Sequence, residues 1–475
     1  MEKESELING DNVNQGISEI SSATPPTPIS LSPQEYRKLI WKIDRHVLPA
    51  LFTLWIVAVV DRGNIGSANI FGIQEDLHMQ GNDSTWLSLS STPRDVITGE
   101  TFLLGIVAIG EGLVTNLAGF YAMRFFVGLF ETGLIPGSVF ILSQYYPRYE
   151  MQWRLSMLMV GNALGTAFAG LLAFAIAGTN TSNGYNGWRW IFIIEGCITV
   201  AVAVVAYPFM PKWPHQAKWM SDDEKTFLAD AIKQGGVIEP KGEKLDIHRF
   251  VGVLKDWKIY VAGILLAFTI MTSASVGIFT PTIVSGISAH QDPRHVQVLC
   301  IPVFVAAAVS SLVASFLSDY YKHRTAFALF GYIMIVAGAI ILLNQDHVNA
   351  HTRYGAVYLL ACGIYIAVPI IWTILPNNVA GTYKTGIAIA IQVSIGNLGG
   401  VASTLCFAST KAPSFVLGYT TIVWMTCCAA VLLIIYALFL WMENRARAAG
   451  KRDYLLERED VDTLGDMHPS FRYTY

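Results

Sequence analysis

The sequence predicts an all-α polytopic membrane protein made of two helix bundles, and three observations carry that prediction. Of 475 residues, 53% are apolar and 14% charged, against roughly 45–50% and about 25% in an average soluble domain. So little charge cannot coat a water-soluble core. Apolar stretches of membrane-spanning length recur along the chain. A single long hydrophilic connection divides them into two groups, as in transporters built from repeated bundles. Twelve helices of about 20 residues would use about 240 positions, so the length fits with little to spare.

Residues 1–45 read as a disordered cytosolic tail, polar and acidic at first (Glu2, Glu4, Glu6, Asp11, Glu19 against Lys3), then broken by Pro25, Pro26 and Pro28, with no cleavable signal peptide. Residues 46–210 form the N-terminal bundle, with spanning segments at 46–65, 101–118, 119–142, 155–177 and 189–210. Residues 211–257 form a cytosolic linker, marked by Pro211, Trp213, Pro214, the acidic run Asp222, Asp223, Glu224 and several lysines. Residues 258–442 form the C-terminal bundle, with segments at 259–280, 296–317, 325–343, 355–375, 385–408 and 418–441. Residues 443–475 are a cytosolic C-terminal tail.

Lys and Arg accumulate in cytosolic loops. They place Arg37, Lys38, Lys42 and Arg45, the linker, Arg148 and Arg154, Lys322 and Arg324, Lys384, and Arg445 to Arg452 on one side. Helix 46–65 then ends outside, whereas helix 101–118 must start inside. An odd number of crossings is missing between Asp76 and Glu100, a polar stretch containing Pro93, Arg94 and Asp95 that is no credible span. The chain therefore shows eleven convincing helices, with the second missing or degenerate.

The net charge of −3 gives no footprint for nucleic acid. The cysteines Cys197, Cys300, Cys362, Cys406, Cys427 and Cys428 all lie in apolar segments without metal spacing and read as small packing residues. Asn82 and Asn180 begin N-x-S triplets in loops placed outside, used for glycosylation or occurring by chance. HExxH, GxSxG, Walker A and dinucleotide signatures are lacking, so no enzyme, cofactor or resident metal is expected.

Ionisable residues inside spans cost about 2.5–3.5 kcal/mol each on insertion scales. Arg124 and Glu131 lie seven positions apart, nearly two turns, and share one face about 10 Å apart. The pair marks either an aqueous cavity or structural pairing between helices. Glu111 sits inside segment 101–118. Glu195 serves either an ion pair or function, and Arg189, between Trp188 and Trp190, reads as snorkelling in an interfacial belt. Arg62 either snorkels or points into a cavity. Glycines at 161, 165 and 170, and at 386, 396, 399 and 400, suit close helix contact. Pro369 and Pro376 flank Trp372 and lead to Asn377 and Asn378, a polar helix end that either lines a path or stops the helix.

Several stretches resemble one family: VDRGNIGSANIFGIQEDLHMQGN (60–82), RFFVGLFETGLIPG (124–137) with YYPRYE (145–150), GWRWIFIIEG (187–196), MPKWPHQAKWMSDDE (210–224), FTPTIV (279–284), LSDYYKHR (317–324) and QVSIGNLGG (392–400). From about Asp44 to Arg447 the chain resembles the major facilitator superfamily, in particular its anion:cation symporter branch and fungal permeases of the allantoate, nicotinate and pantothenate type. The resemblance implies two pseudo-symmetric six-helix halves and alternating access. It implies proton-coupled transport of a small organic anion at the plasma membrane by a monomer in the lipid bilayer, driven by the proton gradient alone.

In the related vesicular glutamate and sialic acid transporters, arginines at the positions of Arg62 and Arg124 are associated with anion binding, and the carboxylate at Glu131 with proton coupling. A guanidinium fork suits a carboxylate, and a partly buried glutamate can load and release protons. Asp319 and Arg324 match the cytosolic latch of the second half. Ser273, Ser275, Tyr365, Trp372, Asn377, Gln392 and Asn397 are polar candidates for the substrate path there. The family carries a full helix between Gly81-Asn82 and Leu104 to Val107, where this chain has about 22 residues. Either the sequence has lost an exon's worth of residues, or the protein is a variant lacking a helix. The alternative to a carrier is a non-transporting, sensor-like product.

Overall fold

The computed structural model describes residues 32–70, 93–131, 133–147, 150–177, 187–234, 252–287, 293–406, 415–457 and 465–475. Helix α1 runs from Pro33 to Ile70. It opens with a reciprocal capping box, in which Glu35 N donates to Ser32 Oγ (3.3 Å) and Ser32 N to Glu35 Oε2 (2.9 Å). Leu39, Ile40, Ile43 and Val47 are buried at helical spacing while Arg37, Lys38 and Arg45 stay exposed. The expectation of a disordered tail to residue 45 is therefore corrected: an amphipathic face extends the helix back to Pro33.

Helix α2 spans Pro93–Leu113, so the polar stretch 93–100, expected to be non-spanning, forms its first two turns. Proline at the first helical position and Asp95 in the first turn suit a helix start. Asn116 Oδ1 accepts from Gly119 N (2.7 Å) and caps α3, Leu117–Glu131. Helix α4 follows at Leu134–Tyr145. The single helix expected over 119–142 is thus interrupted at Gly133, because Pro136 cannot continue a hydrogen-bond ladder from four residues earlier.

Helix α5 is Met151–Ala177 and α6 Gly187–Ala206. Within the linker, Asp222–Gln234 forms helix α7. The second half contains α8 (Trp257–Ile287), α9 (Pro293–Tyr321), α10 (Arg324–Leu343), α11 (Ala350–Asn377), α12 (Thr382–Cys406) and α13 (Val416–Ala448). Among the described residues there is no strand, and ten segments are long and apolar enough to cross a membrane, with α3 and α4 counted as one. Helix α5, of 27 residues, packs between α1 and α9.

Close packing follows the glycines. A Cβ on Gly105 would meet the backbone of Val200 and Gly196 at 2.8–2.9 Å, so α2 and α6 touch backbone to backbone. Gly161 and Gly165 face Phe52, Ile56 and Val59 of α1, and Gly396 faces Leu266 of α8, as the small-residue spacing predicts. Cys300 is buried, but Cys197, Cys427 and Cys428 are exposed. The packing role expected of those three is corrected: a lipid-facing surface needs apolar atoms without needing interdigitation.

The linker identifies one rim of the molecule. Glu224 caps α7 through Ser221 N (2.8 Å) and holds Lys42 Nζ of α1 at 2.7 Å. Burial pushes the Glu224 carboxyl up, but Lys42 and Ser221 outweigh it and hold the group below its usual range. Arg45 and Arg94 line one groove at this rim together with Lys212, so α1 and α2 both start there. Ile70 lies about 37 Å of helix beyond Arg45. The parity gap read from the sequence falls on residues 71–92, which, including Asn82, lie outside the described residues, as does Asn180.

The tail after α13 is no free appendage. Helix α13 passes 442 and ends at Ala448, and residues 465–475 dock under the C-terminal half. Arg447 Nη1 donates to the carbonyls of Asp466, His468 and Phe471 (3.0–3.1 Å). Asn378 Nδ2 donates to Thr474 O (2.9 Å), and Asp466 pairs with Lys258 and, at 2.7 Å, with Lys384. Burial opposes the charge on Asp466, yet the two lysines prevail and hold its carboxyl below the usual value.

Candidate functional site

The N-terminal half places its buried charges along α1, α2, α3 and α6. Arg124 of α3 points Nε at Glu111 Oε1 of α2 (2.9 Å), with Glu111 1% exposed. Its guanidinium lies over the rings of Phe120 and Phe192, 5.3 and 5.2 Å from their centroids. These contacts fix the fork while leaving Nη2 buried without a hydrogen-bond partner among the described residues. A buried guanidinium donor of this kind has capacity for one more acceptor, and a carboxylate is the acceptor it matches best.

Asp61 of α1 is 3% exposed and accepts a hydrogen bond from Thr199 Oγ1 of α6 (2.9 Å). Glu111, Glu131 and Arg124 are its charged neighbours. Glu131 is half-buried at the end of α3, where the helix breaks. Gly133 follows the break and leaves room for the Glu100 carboxylate of α2, which a Cβ there would strike. The structure thus joins Arg124 to Glu111 and brings Asp61 and Glu131 into one electrostatic neighbourhood. The Arg62 side chain lies outside the described residues; its backbone is one residue past Asp61 in α1.

Sequence reasoning passed over Asp61 and Glu100. Asp61 had a signal, since a carboxylate inside an apolar helix beside an arginine is expensive wherever it faces. Glu100 had none, because it fell in a stretch read as outside any helix. Arg189 and Trp188 correct another expectation. Arg189 Nη1 donates to the carbonyls of Gly112 (3.3 Å) and Val114, and Trp188 is buried, so they close the C-terminal end of α2 instead of forming an interfacial belt. Glu195 is buried in α6, next to Gly196 where α6 meets α2.

The halves meet directly. Tyr365 of α11 is buried and accepts from Asn162 Nδ2 of α5 (3.1 Å), so this candidate faces the interface. Toward the linker rim, Ser156 is hydrogen-bonded to Ser315, Thr373 donates to Gln152, and Trp153 N donates to Asp319 Oδ2 (3.1 Å). Asp319 also lies 3.8 Å from Arg324 Nη2. The expected latch pair therefore bridges its own half by charge and the other half through a backbone N–H.

The remaining candidates scatter. Asn377 lines a cavity of about 510 Å³ at the linker rim with Gln144, His215, Lys225 and Thr385, and its Nδ2 has no partner among the described residues. Trp372 is buried in α11. Gln392 Nε2 donates to Ile371 O (3.1 Å), and Ser275 donates to Met271 O (2.8 Å), both internal bonds of the C-terminal half. Ser273 is half-buried and Asn397 exposed. No cluster of His, Cys, Asp and Glu suited to a metal ion occurs among the described residues.

The model of the Major Facilitator Superfamily matches residues 94–404. An uncharacterised transporter of Schizosaccharomyces pombe is 28% identical over 449 residues, covering 90% of this chain and 89% of its own. The high-affinity nicotinic acid transporter of Saccharomyces cerevisiae is 24% identical over 464 residues, covering 92% of this chain and 85% of its own. Among solved structures, the proton:xylose symporter superimposes with a TM-score of 0.54 at 16% identity, covering 86% of this chain and 90% of that one. These relatives are transporters, and the superposition is a likeness of fold.

Proposed function

The chain belongs to the Major Facilitator Superfamily, a multi-pass membrane transporter family, and on that premise we propose that it is a proton-coupled symporter of a small organic anion. The observation that carries this reading is Arg124: a half-buried guanidinium, ion-paired to Glu111 and lying among the carboxylates Asp61 and Glu131, with its buried Nε and Nη2 lacking a hydrogen-bond partner among the described residues. The cargo class is a vitamin carboxylate, an allantoate-like ureide acid or a sugar acid. The likeness to a nicotinic acid transporter supports it.

The cargo carboxylate enters from the side opposite the linker and accepts from Arg124 Nη2. Three carboxylates around one guanidinium leave an excess of negative charge, and an incoming anion adds to it. A proton taken up by Glu131 or Asp61 offsets that charge, which ties anion binding to proton binding through one electrostatic balance. The loaded site then passes to the other side when the linker rim opens. Opening breaks the Ser156–Ser315, Gln152–Thr373 and Trp153–Asp319 contacts between the halves. The basic linker rim faces the cytosol of a plasma-membrane protein, with both termini on that side.

The test is uptake of radiolabelled nicotinate and a panel of other carboxylates into proteoliposomes under an imposed proton gradient. Gradient-dependent uptake of one of them, competed by carboxylates and lost in Arg124→Ala, is expected. Uptake that survives Arg124→Ala with unchanged affinity overturns the assignment of the site.

A further inference from the structure

A second site lies away from the transport path, on the outer flank of the N-terminal half at the linker rim. The start of α1, the start of α2, the end of α6 and the linker enclose a groove of about 730 Å³. Its polar wall carries Arg45, His46, Arg94, Lys212 and Lys218, and its apolar wall Ala50, Val202, Val205 and Phe209. None of these arginines and lysines has a described carboxylate within ion-pair distance. Arg94 stacks over the Tyr207 ring at 3.9 Å and keeps a buried Nε with no hydrogen-bond partner among the described residues. The acid beside it, Asp95, accepts from Tyr207 Oη (3.0 Å). His46 is stacked on Trp219 at 4.4 Å. The outer part of the apolar wall is not covered by protein: Val205 is 65% and Phe209 69% exposed, while Ala50 is buried.

Unpaired cations at a bilayer rim, beside an apolar wall that faces outward from the bundle, match a molecule that is anionic at one end and apolar at the other. We propose that this groove binds an anionic glycerophospholipid of the leaflet on the linker side. Its phosphodiester sits among Arg45, Arg94, Lys212 and Lys218, and an acyl chain runs along Val202, Val205 and Phe209. The inference uses only the placement of the helices in a bilayer and stands whatever the cargo is. A soluble anion would satisfy the cations but leave the apolar wall empty, and an apolar partner would leave buried Arg94 Nε unanswered.

The experiment uses the full chain in nanodiscs of phosphatidylcholine with or without phosphatidylserine. Lipid retained after detergent extraction is read by native mass spectrometry. The parent is expected to retain phosphatidylserine selectively. The variant Arg94→Gln/Lys212→Gln/Lys218→Gln should lose about fivefold in selectivity per cation removed, and Arg94→Lys should largely preserve it. Equal retention in parent and triple variant overturns the proposal. On the unmodified protein, an amine-reactive label should modify Lys212 and Lys218 less in phosphatidylserine discs than in phosphatidylcholine discs, with Lys451 unaffected. Labelling that ignores the lipid overturns it too. Protection by soluble glycerophosphoserine as strong as that by the lipid would make the groove a soluble-anion site and overturn the lipid assignment.

Discussion

The two halves share an architecture and differ in where they keep charge. In the N-terminal half Asp61, Arg124, Glu131 and Glu195 lie inside spanning segments, and Asp61, Glu111 and Glu195 are among the most buried polar residues of the chain. In the C-terminal half every described Asp, Glu, Lys and Arg of a spanning helix lies near an end, as with Lys258, Asp319, Arg324, Lys384 and Arg447. Its interior is polar without charge: Thr269 is bonded to Tyr332 (2.8 Å) and Gln392 to Ile371 (3.1 Å). One half thus holds its charged groups inside the spans, while the other keeps them at its ends and is strapped at its rim by its own tail. A carrier needs both, a site that changes charge and a partner surface that does not.

The largest effect should come from breaking the charged half at Arg124. Arg124→Ala leaves Glu111 buried and unpaired, a change worth about 3–5 kcal/mol, and is expected to abolish uptake and lower the Tm. Arg124→Ala/Glu111→Ala separates the causes: Tm should return toward the parent while uptake stays absent. Restored uptake in the double variant would show that the arginine is structural. Glu131→Gln should act more narrowly. Cargo exchange across the membrane should persist, while accumulation driven by a proton gradient is lost; a variant that still accumulates cargo would move the coupling elsewhere, with Asp61 next in line.

The same division explains how much was legible beforehand. Helix positions in the C-terminal half followed from hydropathy, because its spans carry charge only at their ends and each apolar run matches one helix. The N-terminal half was read less well because it carries charge inside its spans. Arg94 and Asp95 hid the first turns of α2, and the Gly133 to Pro136 break divides a run that looks continuous. Arg124 and Glu131 were visible as misplaced charges, whereas the Glu111 pairing and the Thr199 bond to Asp61 are long-range contacts with no local sign. The docked tail was invisible for a related reason. Asp466 is one acid among many in a polar stretch until the fold brings Lys258 and Lys384 to it.

Smaller effects should follow at the strap and the rim. Asp466→Asn leaves Lys258, which is buried, without its closest partner, and should lower the Tm of the protein in detergent by more than any substitution in the exposed segment 450–457. Because the folded carboxyl titrates below its ordinary value of 3.8, its contribution is present above that value and is lost as pH falls through the lower folded pKa. The parent should therefore lose stability in that acid range more steeply than Asp466→Asn; parallel profiles would remove the ion pair from the account. At the seam, Ser156→Ala removes one hydrogen bond between the halves, worth about 1 kcal/mol, or about a fivefold shift toward the state open at the linker rim. Faster alkylation of a Thr385→Cys reporter in the cavity there would register it.

The smallest effect is expected at Lys42–Glu224, and its smallness is informative. The pair is about as exposed as a surface salt bridge, with side chains 36% and 25% exposed, so its coupling energy should be no more than about 0.5 kcal/mol after solvent screening. Yet it is the charged contact that ties the linker helix α7 to α1, and no described ion pair ties α7 to the C-terminal half. If the linker rides with the N-terminal half, Glu224→Gln should leave Tm nearly unchanged and weaken protection of α7 against hydrogen exchange. Protection of the 376–385 rim should stay as it was. Equal loosening of α7 and that rim would mean that the linker is shared between the halves, and that opening the rim must move it.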